Sequence, residues 1–152
     1  MTLEVDFHTG VADKLGYTCR LLRKAWRSGK QVVVTGPPAA LNRLDQLLWT
    51  FEPGEFIPHA RLRAGQAIEP RLARTPIWLA ESPADAGPRD VLVNLGPQAL
   101  ATAATGSASC PRVIEIVADE PDEAEAGRER WRQYKAAGLN PRNHSQRPAP
   151  AA

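Results

Sequence analysis

The feature that most constrains the fold is a short run of β-branched residues with no polar break, formed by Val32, Val33 and Val34. Successive side chains of a strand point to opposite faces of its sheet, so a strand that is apolar at every position has to be covered on both faces. Apolar residues recur at helical spacing before the run, at Val11, Leu15, Cys19, Leu22 and Trp26. The same spacing returns after the run, at Ala40, Leu41, Leu44, Leu47 and Leu48. The run is therefore predicted to be a covered strand with a helix before it and a helix after it.

The first residues of the chain add a second strand to this pattern. Leu3, Val5 and Phe7 alternate with Glu4 and Asp6, as they would in a half-buried strand. The first half of the chain then follows the order strand, helix, strand, helix. This order favours an α/β fold in which helices pack on a parallel or mixed sheet.

Further strand and helix patterns continue through the second half of the chain. Strands are predicted at residues 77–80, 91–95 and 113–117, and helices at residues 98–105 and 121–137, with Gly138 ending the last one. Residues 51–75 and 82–89 are interrupted by Pro and Gly and are predicted to be turns and loops. A chain of 152 residues fits one domain. We expect that domain to cover residues 1–140, followed by a flexible tail, rich in Pro and Ala, at residues 141–152.

Composition excludes several classes of protein. The chain is 43% hydrophobic and 24% charged, close to the globular average, so neither a disordered chain nor a membrane protein is expected. The longest uncharged run, residues 91–111, is broken by Asn94, Gly96 and Pro97 and predicts no membrane span. Acidic residues near the start stand where a secretory leader would carry cations, so a cytoplasmic protein is expected. Cys19 and Cys110 are accordingly predicted to be buried, reduced thiols.

No segment matches a motif for catalysis, nucleotide binding or metal binding. The turn Gly36-Pro37-Pro38 lacks the glycines, the backbone N–H groups and the Lys of a phosphate-binding loop. His8, His59 and His144 are isolated, and neither cysteine has a second metal ligand at the usual spacing. The acidic residues near the start of the last helix are explained by its dipole. The sequence therefore predicts a protein without catalytic residues, cofactor or metal.

The charged residues are balanced in number but uneven in placement. Nineteen cations face 17 acids, a net charge of +2, which excludes a nucleic-acid binder that uses its whole surface. One cluster of cations lies between Lys14 and Lys30 with no acid among them: Lys14, Arg20, Arg23, Lys24, Arg27 and Lys30. This cluster is either the solvated face of the first helix or a contact for phosphates or an acidic partner. The second reading is the basis of an alternative function, direct nucleic-acid binding through the Lys14–Lys30 helix.

A second basic cluster lies on the last predicted helix. Arg128, Arg132 and Lys135 are spaced by four and three residues and form one stripe, with Trp131 and Tyr134 alongside it. Cations in the last turns of a helix are partly explained by the dipole. Arginines beside a large aromatic also suit an acidic peptide that ends in an apolar residue. A guanidinium can hold a carboxylate through two N–H groups while the ring covers the apolar side chain.

Five pieces of the chain, spread over about residues 1–140, carry a family resemblance. They are Trp26-Arg27-Ser28-Gly29-Lys30, Arg43-Leu44-Asp45 with Leu48-Trp49, Phe56-Ile57-Pro58-His59, Arg89-Asp90-Val91-Leu92-Val93-Asn94-Leu95, and Arg128-Glu129-Arg130-Trp131 continuing through Tyr134-Lys135-Ala136-Ala137-Gly138. In this order the set resembles the chi subunit of bacterial DNA polymerase III holoenzyme. The resemblance implies a Rossmann-like, three-layer α/β/α fold. It also implies a non-enzymatic adaptor that links the clamp-loader assembly to the single-stranded-DNA-binding protein.

The resemblance further implies where the partner binds. In the family, the acidic C-terminal tail of the single-stranded-DNA-binding protein, which ends in Pro-Phe, binds on the final helix. The positions that match are Arg128 for the terminal carboxylate, Arg132 for the acidic residues, Trp131 for the Phe pocket, and Val117 and Asn143 for its walls. Ala124 stands where the family often has another cation, so tail binding is expected to be weaker or differently distributed.

A second family surface binds psi, the small subunit that joins chi to the clamp loader, or in some bacteria a helicase. It maps to Trp49 and Phe56, although Trp49 could equally be the end of a packed helix. Contact with DNA is expected to be mainly indirect, and no membrane partner is implied.

Overall fold

The structure, a computed structural model, describes residues 3–100 and 110–146. These residues contain seven strands and four α-helices. The strands are β1 (Glu4–Val11), β2 (Val32–Thr35), β3 (His59–Leu62), β4 (Ile77–Ala80), β5 (Val91–Asn94), β6 (Arg112–Ala118) and β7 (Arg142–Ser145). The α-helices are α1 (Lys14–Arg27), α2 (Pro38–Thr50), α3 (Pro83–Ala86) and α4 (Pro121–Ala136), and a 3-10 turn covers Pro70–Leu72.

The seven strands form one parallel sheet in the order β3-β4-β2-β5-β6-β1-β7. The valine strand β2 lies inside it, with Val33 opposite Trp78 of β4 on one side and Leu92 of β5 on the other. All three valines have no exposed surface, which confirms the prediction of a covered strand. The parallel arrangement follows from the helices that connect strands, because each crossover returns the chain to the same end of the sheet.

Helices cover both faces of the sheet. Leu22 of α1 and Leu44 of α2 pack on the face that carries Val32. Tyr134 of α4 packs on the opposite face with Val33, and the short helix α3 contributes to the same side. The three-layer α/β/α architecture is therefore confirmed.

The boundaries of the last helix and the state of the cysteines also agree with the sequence. Helix α4 begins at Pro121, and Gly138 follows its end with a φ of 85°, a backbone conformation that favours glycine. Cys19 and Cys110 are buried, free thiols. Within the described residues, no helix is long and apolar enough to span a membrane.

Three elements lie where the sequence indicates no regular structure. Strand β3 falls within the turn-rich residues 51–75, helix α3 within the loop 82–89, and β7 within residues 141–152, where a tail is predicted. Both strands are at the edges of the sheet, and all four residues of β7 are exposed, so neither needs the apolar pattern that identifies an inner strand. The helix predicted at residues 98–105 is absent at 98–100, and most of it lies outside the described residues.

Candidate functional site

A groove runs between helix α4 and the edge of the sheet formed by β7, β1 and the end of β6. Its volume is about 550 Å³. Val117, Arg128, Trp131 and Asn143 line it, so four of the five residues predicted to bind a tail peptide lie on one continuous surface. The fifth, Arg132, does not line the groove; it is exposed one turn beyond Arg128 on α4.

Helix α4 packs closely against β6 at Gly127, which faces Val117. A Cβ atom added at Gly127 would lie 2.8 Å from both methyl carbons of Val117, so a larger side chain requires the helix or the valine to move. One turn later, the ring of Trp131 meets the ring of Phe7 edge-on, with centroids 5.1 Å apart. Trp131 is half-buried, so it belongs to the core and also lines the groove.

Strand β7 forms the wall of the groove opposite the helix. It pairs in parallel with β1, with Asn143 opposite Phe7. The hydroxyl of Thr9 donates a hydrogen bond of 2.7 Å to Oδ1 of Asn143. Within the described residues the Nδ2 group of Asn143 has no hydrogen-bond partner, so its N–H groups can serve a ligand's oxygen.

A buried carboxylate on the other face of β1 ties β7 to the sheet. Oδ1 of Asp6 lies 3.0 Å from Nε of Arg142 and 3.0 Å from Nε2 of His144, and its Oδ2 lies 3.0 Å from Nε of Arg112. Burial acts to raise the pKa of Asp6, but the hydrogen bond from His144 and the arginine interactions outweigh it and hold the pKa below its ordinary value. His8 and His144 are isolated in sequence, yet the sheet places their ring centroids 5.4 Å apart.

The predicted basic stripe on α4 is exposed but has acidic partners on the same helix. Nη2 of Arg128 lies 3.0 Å from Oε2 of Glu125, and Nη1 of Arg132 lies 2.6 Å from Oε2 of Glu129. Exposed ion pairs of this kind contribute at most about 1 kcal/mol to stability. A ligand carboxylate can therefore displace either glutamate at little cost.

Tyr134 does not lie beside the basic stripe, so that interpretation is wrong. Its side chain is fully buried, and its hydroxyl donates a hydrogen bond of 2.6 Å to Oε2 of Glu115. Nε of Arg130 donates to Oε1 of the same carboxylate at 2.8 Å. Gly127, Arg130 and Tyr134 follow each other at helical spacing and share the face of α4 that meets the sheet. Burial raises the pKa of Glu115 although the charge of Arg130 opposes it.

This buried ion pair has a sequence signal that points to it. Glu115 stands in an apolar strand, between Ile114 and Ile116, where a carboxylate requires a buried cation or several hydrogen-bond donors. Arg130 supplies the cation, and Asn94 donates a further hydrogen bond of 2.8 Å to Oε2. The pair fixes the rotation of α4 about its axis, and so decides which α4 side chains reach the groove.

The groove has the chemistry of a binding surface. Among the residues that line it, Arg128 is the one that carries a charge, and the others are apolar or neutral polar side chains. No group of three or more His, Cys, Asp or Glu within residues 3–100 and 110–146 could hold a metal ion. The groove thus offers an apolar floor, a guanidinium at one side and amide and hydroxyl groups at the other.

The two residues of the second predicted surface also lie together, at the opposite edge of the sheet. The side chains of Trp49, near the end of α2, and Phe56, in the loop before β3, are 57% and 59% exposed. Their ring centroids are 5.4 Å apart, and the ring of His59 lies 4.8 Å from that of Trp49. Trp49 is therefore not simply the packed end of a helix. It belongs to an exposed aromatic pair beside the edge strand β3.

Part of the basic cluster of α1 is paired with neighbouring acids. Lys14 lies 2.7 Å from Glu123, and Nε of Arg23 and Nε of Arg27 lie 2.8 Å and 3.2 Å from the carboxylate of Glu55. Half of the six cations are thus engaged within the chain, which weakens the reading of α1 as one continuous nucleic-acid surface.

Comparison with known proteins relates this chain to one family. The family model described as "DNA polymerase III chi subunit, HolC" matches residues 1–142. A protein of Pseudomonas aeruginosa named DNA polymerase III subunit chi is 35% identical over 132 residues, which is 86% of this chain and 85% of the relative. The proteins of the same name from Haemophilus influenzae and Escherichia coli are 31% and 30% identical, each over 80% of this chain and over 80% and 78% of their own lengths.

Among solved structures, the chain is similar in fold to the C-terminal domain of Saccharomyces cerevisiae Dbp5 bound to Gle1 and IP6. The TM-score is 0.53, with 95% of this chain and 90% of the other covered and 9% of residues identical. At that identity the likeness concerns the fold alone.

Proposed function

The chain belongs to the family of DNA polymerase III chi subunits, and from this premise we propose that it binds the acidic C-terminal tail of single-stranded-DNA-binding protein in the α4 groove. The family is an accessory subunit of DNA polymerase III, so the chain works with other components of that holoenzyme. In the proposal it is a non-catalytic adaptor. It would link the single-stranded-DNA-binding protein to the clamp-loader assembly, or to a repair helicase.

The observation that carries the proposal is that Val117, Arg128, Trp131 and Asn143 line one groove. They come from three separate elements, and their chemistry is complementary to an acidic peptide that ends in an apolar residue. The apolar ring of the terminal residue would lie against Val117 and Trp131. Its carboxylate would then be within reach of the guanidinium of Arg128, which can donate two parallel hydrogen bonds.

The acidic residues that precede the apolar end would lie along the exposed face of α4. Arg132, one turn beyond Arg128, is the cation placed to receive them, in exchange for Glu129. Ala124 lines the other end of the groove and brings no charge there. The electrostatic part of the affinity would therefore come from the C-terminal half of α4.

The exposed pair of Trp49 and Phe56 is the proposed contact for the second partner, a psi subunit or a helicase. Exposed aromatic residues that are in contact with each other are typical anchors of protein interfaces, because they bury large areas at low entropic cost. The pair lies at the β3 edge and the groove at the β7 edge, so both partners could bind at once.

The tail proposal is tested by calorimetric titration of the full chain with a peptide of the last residues of the cognate single-stranded-DNA-binding protein. We expect a dissociation constant on the order of micromolar, and loss of binding in Arg128→Ala and with a peptide lacking its terminal Phe. Arg20→Ala, which replaces an exposed arginine on α1, is the matched control and should bind the peptide as the wild-type chain does. Undiminished binding in Arg128→Ala would remove the assignment of the groove.

The second contact is tested by a pull-down from cells of the source organism. Phe56→Ala should lose the psi-like or helicase partner and keep its affinity for the tail peptide. Loss of both activities would instead indicate a folding defect, which circular dichroism would reveal.

A further inference from the structure

A second cleft opens on the face of the sheet opposite the α4 groove. It lies between the C-terminal half of α1 and the strands β1, β2, β5 and β6, and its volume is about 230 Å³. Its floor is aliphatic, and two of the floor residues, Val91 and Ile114, keep 8% and 6% exposure. They are among the core residues that remain most accessible to solvent. The small side chains of Ala25, on α1, and of Ser28, directly after it, leave the space open.

Cations surround this apolar floor. Lys24, Lys30 and Arg112 line the cleft together with His8, and none of its lining residues is acidic. Arg112 is paired with the buried Asp6, but neither Lys24 nor Lys30 has an ion pair among residues 3–100 and 110–146. These two lysines belong to the part of the α1 cluster that the chain does not neutralise itself.

Two further observations concern the charge around the cleft. The last carbonyl groups of α1, which would carry the negative end of its dipole, accept hydrogen bonds from the backbone N–H groups of Ser28, Gly29 and Lys30. Burial lowers the pKa of His8, and the charges of His144, Arg112 and Lys24 lower it further, although the carboxylate of Asp6 opposes them. Because Arg112 is paired with Asp6, the uncompensated positive charge at the cleft comes from Lys24 and Lys30.

From this cleft we infer a second binding site, for a short acidic peptide segment that inserts one apolar side chain. The aliphatic floor would take the side chain, and Lys24, Lys30 and Arg112 would face the carboxylates on either side of it. The cleft is smaller than the pockets of about 300 to 1,000 Å³ that hold drug-sized ligands and cofactors, and it suits a single bulky side chain.

An acidic peptide fits this cleft better than single-stranded nucleic acid does. Proteins that bind single strands combine cations with Trp, Tyr or Phe rings on which bases stack. None of these three residue types lines the cleft. The site lies on the other face of the sheet from the α4 groove, so it does not depend on the function proposed for that groove.

The test uses the full chain carrying Arg128→Glu, so that binding in the α4 groove does not contribute. The probe is acetyl-Asp-Asp-Asp-Phe, titrated into the isotopically labelled protein and followed by backbone amide chemical shifts. We expect saturable shifts at Lys24, Ala25 and Val91. Affinity should fall by about tenfold or more in Lys24→Glu and in the cleft-filling variant Ala25→Leu, and also when Ala replaces Phe in the peptide.

Arg20→Glu is the matched control, because it makes the same charge change on the same helix outside the cleft. It should leave the affinity unchanged. The inference is overturned if Arg20→Glu weakens binding as much as Lys24→Glu, since the attraction would then be general. It is also overturned if the peptide produces no shifts around the cleft at millimolar concentration, or if oligothymidylate shifts these amides and the peptide does not.

Discussion

The contact between Gly127 and Val117 makes a quantitative prediction about the α4 groove. In a solvent-exposed helix, replacing Gly by Ala stabilises by about 1 kcal/mol, because Ala loses less backbone entropy and is the better helix former. In Gly127→Ala the new methyl group would lie 2.8 Å from both methyl carbons of Val117. Val117 is 4% exposed and β-branched, so it has little freedom to turn away.

Overpacking of a buried contact typically costs about 1 to 3 kcal/mol. This cost exceeds the gain in helix propensity, so we expect Gly127→Ala to be destabilising by about 1 kcal/mol or slightly more. In a Val117→Ala background the clash is removed, and the same substitution should become stabilising. The coupling between the two positions should therefore be about 1 to 3 kcal/mol.

The measurement is a double-mutant cycle by urea unfolding, combined with titration of the tail peptide. A shift of α4 away from β6 also moves Arg128 and Trp131, so Gly127→Ala should bind the peptide more weakly than the wild-type chain does. If Gly127→Ala stabilises the wild-type chain as much as it stabilises the Val117→Ala variant, the close approach of α4 to β6 does not limit this position and the reasoning is refuted.

Three further predictions follow from the buried polar groups. The pKa of Asp6 is lower in the folded chain than its ordinary value of 3.8, so its contribution to stability is present above that value and is lost as the pH falls through the lowered folded pKa. Acid unfolding followed by circular dichroism should show a smaller loss of stability in Asp6→Asn, and an equal loss in both proteins would contradict the role of Asp6. Glu115→Gln leaves Arg130 buried without its charge partner and should cost about 3 to 5 kcal/mol. In urea unfolding, the exposed control Glu129→Gln should cost less than about 1 kcal/mol of stability. Similar losses in the two variants would show that the buried pair does not contribute to stability. Burial raises the pKa of Cys19 to about 11 and also raises that of Cys110. A thiol reagent at neutral pH should therefore react slowly with the native chain and rapidly after denaturation, whereas fast reaction of the native chain would place a thiol at the surface.

The buried polar residues mark the limit of what sequence patterns can predict. Asp6 alternates with apolar residues in β1, which indicates an exposed position, yet its side chain has no exposed surface. The reason is that Arg112, Arg142 and His144 converge on it from two neighbouring strands. Similarly, Tyr134 can be placed on a stripe from spacing alone, but only the partner at Glu115 decides that it faces inward.

Local sequence determined the inner strands of the sheet and the helices that cover them. A strand covered on both faces is apolar along most of its length, and a helix on a sheet is apolar at spacings of three and four, so β2, β5, α1 and α2 have signals of their own. Helix α4 is instead marked by its ends, Pro121 and Gly138. The family resemblance pointed to four of the residues that line the groove, Val117, Arg128, Trp131 and Asn143. Tertiary structure alone decided the edge strands β3 and β7, the inward rotation of Arg130 and Tyr134, and the meeting of Val117, Arg128 and Asn143 on one surface. These features depend on partners that are distant in the chain, and neither composition nor periodicity specifies such partners.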